Sequence, residues 1–291
     1  MVISNILGGL GNQMFQYAVG RALAHRRGDE LKLDISEFES YTLRQFELDV
    51  FNVKAAIASP SEIERLKYQK PALALRILSY IFRKDSAYGR HYYREKFYQF
   101  DPDVLTLQGD VYLFGYWQTE KYFSDYEQGL RQEFTLKTPL SRESEYFKNQ
   151  ILAEEHAVAL HIRRGDYVTN ATTNSYHGLC SLEYYKEAVT YIEQHVTSPH
   201  FFIFSDDLAW AKEHLDFIGE VTFVELSDAP DHEEMYLMSQ CHHNIIANSS
   251  FSWWGAWLNE NRKKIVIAPK QWFTDASINT DDLISEGWIR L

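Results

Sequence analysis

Ala157-Val158-Ala159-Leu160-His161-Ile162-Arg163-Arg164-Gly165-Asp166 is the stretch that decides the fold. Its first six residues form a continuous, mainly apolar segment, which predicts a strand buried on both faces. Two arginines and a glycine follow where that strand ends. Since ligands bind beyond the carboxyl ends of parallel strands, this segment predicts both a parallel sheet and a place to look for a site.

Short apolar segments alternate with helical patterns on the carboxyl side of this strand. Further strands are predicted at 201–204, 221–224, 244–247 and 265–267, and helices at 182–196, 208–215, 231–241 and 250–260. Strands separated by helices in this way indicate right-handed βαβ units in a parallel sheet. An acidic capping box, Asp231-His232-Glu233-Glu234, is expected to open the third of these helices.

The amino-terminal half is also α/β but less regular. A strand at Ile3–Leu7, a glycine turn and a helix that ends at Gly28 precede a second strand at Leu31–Asp34. A capping box with proline, Ser59-Pro60-Ser61-Glu62, predicts another helix start. We therefore predict two Rossmann-like domains, residues 1–155 and 156–291, with the last segment a candidate to return to the first domain.

Composition narrows the classes of function. The 291 residues carry 29 Lys and Arg against 41 Asp and Glu, a net charge of −12, which excludes general attraction to a nucleic acid backbone. Two cysteines, with no paired spacing, provide neither a disulfide framework nor a cysteine zinc site. The longest apolar window, 72–82, is too short for a membrane span, and no signal peptide is recognisable. We expect a cytoplasmic protein without transmembrane segments, which is compatible with peripheral membrane association.

The arginine pair is the first candidate site. Strand alternation places His161 and Arg163 on one face and Leu160 and Ile162 on the other. Two adjacent guanidinium groups at a strand end favour an anionic ligand, and a pyrophosphate matches the fork geometry of arginine. Asp166 would hold one arginine in orientation. The alternative is an ordinary solvated Arg–Asp pair.

A second candidate begins at Asn248-Ser249-Ser250-Phe251, where a strand gives way to a helix. Hydroxyl groups and backbone N–H groups at a helix N-terminus form an anion site. The alternative is simple N-capping by one serine. The tryptophans that follow, Trp253, Trp254 and Trp257, are expected in the core.

Two acidic pairs complete the list of polar candidates. In Asp206-Asp207, one carboxylate is expected to cap the next helix and the other to orient Arg163 or contact a base or ribose. Asp101-Pro102-Asp103 is the kind of pair that holds a divalent cation, but its proline indicates a turn, and we expect no metal site.

The glycine turn Gly8-Gly9-Leu10-Gly11-Asn12-Gln13-Met14 resembles a dinucleotide fingerprint only superficially, since Met14 stands where the third glycine belongs. A tight turn explains the glycines. It does not explain Asn12 and Gln13, two amides at a helix N-terminus that are expected to face a cleft.

Taken together, Gly8–Gln13, His161–Tyr167 and Asn248–Gly255 resemble the α-1,2-fucosyltransferases of glycosyltransferase family 11 over residues 2 to about 270. The resemblance implies a GT-B-like α/β fold with two Rossmann-like domains facing across a cleft. It also implies GDP-β-L-fucose as donor, a terminal β-galactoside of a glycan as acceptor, inversion at the anomeric carbon and no metal or other cofactor.

Roles follow from the same resemblance. Arg163 and Asn12 are the implied catalytic residues, Arg163 on the β-phosphate and Asn12 facing fucose and acceptor. The implied donor-binding residues are Gly9, Gly11, His161, Arg164, Asp166, Asp206, His243, Asn248, Ser249, Ser250 and Phe251, with His243 as the guanine contact. Acceptor residues are expected around 41–46 and 112–118, and no general base is identified. Transfer of another nucleotide-activated sugar, or carbohydrate binding without turnover, are the alternatives.

Overall fold

The computed structural model describes residues 1–40, 44–68, 91–165 and 178–291. The chain divides into two compact units, Met1–Lys137 and Thr138–Leu291. Asp166, Tyr41 and the predicted helix at 72–82 lie outside the described residues.

The described part of the first unit is built on a parallel sheet of five strands in the order β3-β2-β1-β5-β4. Its strands are β1 Val2–Asn5, β2 Leu31–Asp34, β3 Ala56–Ile57, β4 Tyr92–Arg94 and β5 Val111–Phe114. Its α-helices are α1 Leu10–Arg27, α2 Pro60–Lys67 and α3 Glu127–Glu133. Short 3-10 helices lie at Ser36–Glu39, Leu48–Val50, Pro102–Thr106, Glu120–Tyr122 and Ser124–Tyr126.

Helix ends in this unit follow the sequence signals. Gly28 ends α1 in the left-handed conformation with φ 65°, and its N–H donates to a carbonyl of the last turn. Ser59 and Glu62 form the predicted reciprocal capping box, with Pro60 at the first helical position. The predicted strand, turn, helix and strand of the amino terminus are confirmed.

The described part of the second unit contains a six-stranded parallel sheet in the order β11-β10-β9-β6-β7-β8. The strands are β6 Ala157–Ile162, β7 His200–Ser205, β8 Val221–Phe223, β9 His243–Ile245, β10 Val266–Ala268 and β11 Ile289–Arg290. The helices are α4 Arg142–Ala153, α5 Leu182–His195, α6 Leu208–His214, α7 Asp231–Gln240 and α8 Ser250–Leu258. The α/β fold class with parallel sheets is confirmed.

Along the chain, the boundary between the units falls between Lys137 and Thr138, whereas the sequence predicts it near 155. Ser141 caps α4, and its N–H donates to the Glu233 carboxylate on α7 at 3.0 and 3.1 Å. Helix α4 therefore packs with the second unit. The carboxyl-terminal strand β11 pairs with β10, so the last segment also stays there.

Strand β6 lies inside the second sheet and has two differently used faces. Val158, Leu160 and Ile162 join an apolar cluster with residues of α5. His161 belongs to the opposite face, where its ring lies 5.9 Å from that of Phe251. The predicted alternation along this strand is confirmed.

Among the described residues, no helix combines the length and apolarity that a bilayer crossing requires.

Candidate functional site

Three neighbouring strands of the second unit end at one edge of the sheet. Since β6 pairs in parallel with both β7 and β9, the residues that follow these strands lie at the same edge. They are Arg163, Asp206 and Ser249. The contact between the rings of His161 and Phe251 joins the arginine segment to the first turn of α8. Two segments far apart in sequence therefore meet where an α/β sheet binds ligands.

Asp206 holds the arginine segment in place. Its carboxylate lies 3.0 Å from the Arg163 guanidinium and accepts a 2.8 Å hydrogen bond from the Arg164 N–H. A Cβ at position 165 would stand 2.6 Å from an Asp206 oxygen, so only glycine fits there without displacing the carboxylate. Asp206 thus orients Arg163, one of the two roles expected for this acidic pair.

Asp207 and Arg164 are bound to helix α6. Asp207 caps α6 by accepting from the Trp210 N–H at 3.1 Å, as predicted for one carboxylate of the pair. The Arg164 guanidinium lies 4.0 Å from the Trp210 ring centroid and 3.3 Å from Asp207. Arg164 is therefore held by α6, which distinguishes it from Arg163.

His161 is a neutral group within this site. Its side chain is buried, and Nδ1 has no hydrogen-bond partner among the described residues. Burial, with a smaller contribution from the charge of Arg163, lowers the pKa of His161 to about 3. The ring is uncharged at physiological pH, so the positive charge beside it comes from arginine.

Glu234 is a carboxyl group near Arg163 that the sequence analysis did not select. The predicted capping box at Asp231 is wrong, because α7 has Pro230 as its N-cap and no side chain caps it. Burial, reinforced by the charges of Asp231 and Asp206, raises the pKa of Glu234 to about 7, although Arg163 acts in the opposite direction. In the sequence, Glu234 stands only within that capping box, and no local signal relates it to Arg163.

The first turn of α8 supplies the other side of this edge. Ser249 is the N-cap, and its hydroxyl accepts from the Phe251 N–H at 3.3 Å. Ser252 bonds back to the carbonyls of Ala247 and Ser249. Ser250 is half-buried at the first position of the helix. Capping therefore uses the hydroxyl of Ser249 alone. The first N–H groups of any helix have no hydrogen-bond partner within that helix.

Asn248 acts as a brace behind this turn. Its amide donates to the carbonyls of Gly178 and Trp272, and its oxygen accepts from the Cys180 thiol. The three tryptophans of α8 are buried, as predicted: Trp253, Trp254 and Trp257. The amino end of α8 is thus fixed from both sides.

His243 does not belong to this group. It opens β9 opposite Val158, near the start of β6, and therefore lies toward the amino end of the sheet. Its Nδ1 accepts from the Ile265 N–H at 2.9 Å, which is a structural role. Since His243 lies at the edge opposite to Arg163 and Ser249, the structure gives no support to His243 as the guanine contact.

The glycine turn lies in the first unit and is described there by itself. Gly9 is the N-cap of α1, and Gly11 lies buried in the first turn. Asn12 is half-buried, and its side-chain oxygen accepts from Gln118 at 2.7 Å.

Gln13, by contrast, is fully buried, with its amide bound to the carbonyls of Gly8 and Gln45 and to the Glu47 N–H. The expectation that it faces a cleft is wrong, because its Nε2 and Oε1 are both used in hydrogen bonds inside the unit, one within the turn and two to residues 45 and 47.

Asp101 forms the predicted turn. It caps the 3-10 helix Pro102–Thr106 by accepting from the Asp103 N–H, and it also accepts from the Tyr93 hydroxyl at 2.6 Å. Its oxygens serve local structure.

Two parallel α/β units, one with an oriented arginine beside a serine-capped helix, place the chain among Rossmann-like α/β proteins. The chain belongs to glycosyltransferase family 11, whose model matches residues 1–291. It is therefore a glycosyltransferase. It is 36% identical to an Escherichia coli alpha-1,2-colitosyltransferase, over 100% of this chain and 99% of that protein. It is 33% identical to the Escherichia coli O-antigen biosynthesis glycosyltransferase WbnK, over 99% of each.

More distant proteins extend the likeness. A gorilla galactoside alpha-(1,2)-fucosyltransferase 2 is 26% identical, and the match covers 87% of this chain and 68% of the gorilla protein. The fucosyltransferase NodZ, co-crystallised with GDP, superimposes with a TM-score of 0.51 at 14% identity, covering 87% of this chain and 90% of that one. At that identity the last likeness concerns the fold.

Proposed function

We propose that this chain is an inverting, metal-independent α-1,2-fucosyltransferase. It transfers L-fucose from GDP-β-L-fucose to the 2-hydroxyl of a terminal β-galactoside. The observation that carries the proposal is the meeting of Arg163, oriented by Asp206, with the serine-capped start of α8 at one edge of the second sheet. Family membership supports the reaction class.

The geometry supports a diphosphate at this edge. A guanidinium and the N–H groups of a helix N-terminus are complementary to phosphate oxygens. Departure of GDP concentrates negative charge on the β-phosphate while the sugar becomes positively charged. A group aimed at that phosphate therefore stabilises the transition state more than the ground state. Arg163 supplies the charge that a divalent cation supplies in other sugar transferases.

Other side chains have supporting roles in this proposal. In the second unit, donor-binding roles are assigned to neutral His161, Arg164, Asp166, Asn248, Ser250 and Phe251. In the first unit, Gly9 and Gly11 are also assigned to donor binding, and Asn12 is assigned to the transferred sugar and the acceptor. A cytoplasmic location, where the sugar nucleotide donor is found, is part of the proposal.

Colitosyl transfer is the second candidate. It is favoured by the 36% identity to an alpha-1,2-colitosyltransferase, which exceeds the identity to the galactoside fucosyltransferase. Colitose is the 3-deoxy counterpart of L-fucose, so the two donors differ in one hydroxyl group. Recognition of that hydroxyl decides between them.

Donor competition tests the proposal directly. The protein is incubated with a β-galactoside and GDP-L-fucose, GDP-L-colitose, GDP-mannose or a UDP-sugar, with and without EDTA, and the product linkage is read by NMR. We expect an α-1,2-linked fucoside and no effect of EDTA. Faster transfer of colitose than of fucose would replace GDP-L-fucose as the assigned donor. If the protein binds the glycan but neither transfers sugar nor binds GDP, it is a carbohydrate-binding protein.

A further inference from the structure

A half-buried carboxyl group, that of Glu95, holds the turn that follows β5 in the first unit. Glu95 comes directly after β4, and its N–H donates to the Phe114 carbonyl at 2.8 Å. Its two side-chain oxygens accept from the next loop, one from the Tyr116 N–H at 2.6 Å and the other from the Trp117 N–H at 2.9 Å. One side chain thus fixes two successive peptide groups at the carboxyl edge of the sheet.

The turn held in this way has an unfavourable backbone conformation. Trp117 has φ 59°, in the left-handed region that a bulky residue rarely adopts. Its ring is fully buried and packs against Tyr93 and Tyr122, with centroid distances of 6.4 and 5.5 Å. Ring burial and the Glu95 hydrogen bonds together maintain the conformation. Such strain is found where a structure must place a neighbouring group accurately.

Gly115 makes space for the side chain of Glu95. A Cβ at Gly115 would lie 2.4 Å from the Cβ of Glu95 and 2.7 Å from its Oε2. Any larger residue at this position would displace Glu95 or the turn. Glycine at 115 and glutamate at 95 are therefore parts of one arrangement.

The group placed by the turn is Asn12. Gln118, the residue after Trp117, is buried and donates from its side-chain amide to Asn12 Oδ1 at 2.7 Å. Asn12 lies in the first turn of α1, at the same carboxyl edge of the sheet. A continuous series of contacts runs from Glu95 through the strained turn and Gln118 to Asn12.

We propose that Glu95 is a positioning residue that fixes the Asn12 carboxamide, through the 116–118 turn, for its contact with the acceptor sugar. The proposal rests on the proposed function, in which Asn12 serves the transferred sugar and acceptor. Loss of the Glu95 contacts should impair use of the acceptor glycan and leave nucleotide binding intact.

Glu95→Gln tests this role. A glutamine keeps the shape but presents an NH₂ group to one of the two backbone N–H groups, so one contact is lost. We expect the acceptor KM to rise about tenfold, while the Kd for GDP, measured by calorimetry, changes by less than about twofold. The side-chain amide resonances of Asn12 and Gln118 should shift, and amide exchange in residues 111–119 should accelerate. Gly115→Ala should act in the same direction, since its methyl group displaces Glu95.

Glu62→Gln is the matched control. Glu62 also accepts a backbone N–H, from Ser59, but at the start of α2, and its loss should leave the acceptor KM unchanged. Unmoved Asn12 and Gln118 resonances, an unchanged acceptor KM, or an equal loss of GDP affinity in Glu95→Gln would each overturn the inference. If the wild-type protein transfers no sugar, the proposed function fails, whereas the resonances still report whether Glu95 places Asn12.

Discussion

Arg163 is the residue on which the proposed chemistry depends. We expect Arg163→Ala to lower kcat by about 10² or more, because the charge developing on the β-phosphate loses its partner. Steady-state kinetics with GDP-fucose measure the effect. Arg142→Ala, an exposed arginine of α4 in the same unit, is the control and should leave kcat unchanged. Turnover of Arg163→Ala close to wild type would remove the central assignment.

The two neighbouring aspartates separate orientation from capping. Asp206→Asn should lower kcat/KM for the donor about tenfold, because Arg163 loses its charged partner. Asp207→Asn should have little effect on the unfolding free energy, since asparagine caps helices as well as aspartate does. Donor kinetics and urea unfolding of both variants measure the difference. Equal kinetic losses would argue against a special role for Asp206.

At the scale of elements, a buried glutamate joins α1 to α3. Glu133 is 1% exposed and accepts from the hydroxyls of Tyr17 and Tyr126 and from the Arg21 guanidinium. Glu133→Gln leaves Arg21 without its charge partner, and we expect the free energy of unfolding to fall by about 3 kcal/mol. Glu127→Gln, an exposed partner of Arg131 on the same helix, should cost about 0.5 kcal/mol or less. Urea unfolding of the two variants provides the comparison.

The ends of β4 and β5 give the unfolding free energy a pH dependence. Burial raises the pKa of Glu95 from 4.5 to about 7, although the N–H groups of Tyr116 and Trp117 act against this shift. Tyr122 is a titratable group close enough for the charge of Glu95 to act on its hydroxyl. Because the folded pKa lies above the unfolded one, the contribution of Glu95 is complete below pH 4.5 and is lost as the pH rises through 7.

Unfolding curves of wild type and Glu95→Gln between pH 4.5 and 7.5 measure that loss as a shrinking difference in favour of the wild type. Glu62→Gln should show no such trend in this range. Its pKa is lowered to about 2, chiefly by the bond to Lys32, so its contribution changes only at lower pH. A constant difference for Glu95→Gln would contradict the argument.

At the scale of the whole molecule, the donor site should link ligand binding to stability. GDP at about 100 times its Kd should raise the free energy of unfolding by about 2.7 kcal/mol. EDTA should not reduce this gain, because Arg163 and α8 are proposed to bind the diphosphate without a cation. Thermal unfolding with GDP, with and without EDTA, measures it. A gain that disappears with EDTA would indicate a metal-dependent site.

How much was predictable differs between the two units. In the second, strand β6 and its arginines were found from the sequence, because a continuous apolar strand and local polar groups are signals of short range. Asp206 was found with them, since it follows the next strand. Glu95 and Trp117 were missed in the first unit, because neither a carboxylate after an edge strand nor a left-handed tryptophan has a local signature.

The sequence by itself determined the parallel α/β units, the caps of α2 and α8 and the segments that meet at the strand edge, because hydrophobic periodicity and capping act within a few residues. Only the tertiary structure decided that α4 joins the second unit, that His243 lies at the opposite edge of the sheet and that Gln13 is buried. It also decided that Glu95 is linked to Asn12. These facts depend on contacts between residues distant in the chain, and packing decides such contacts.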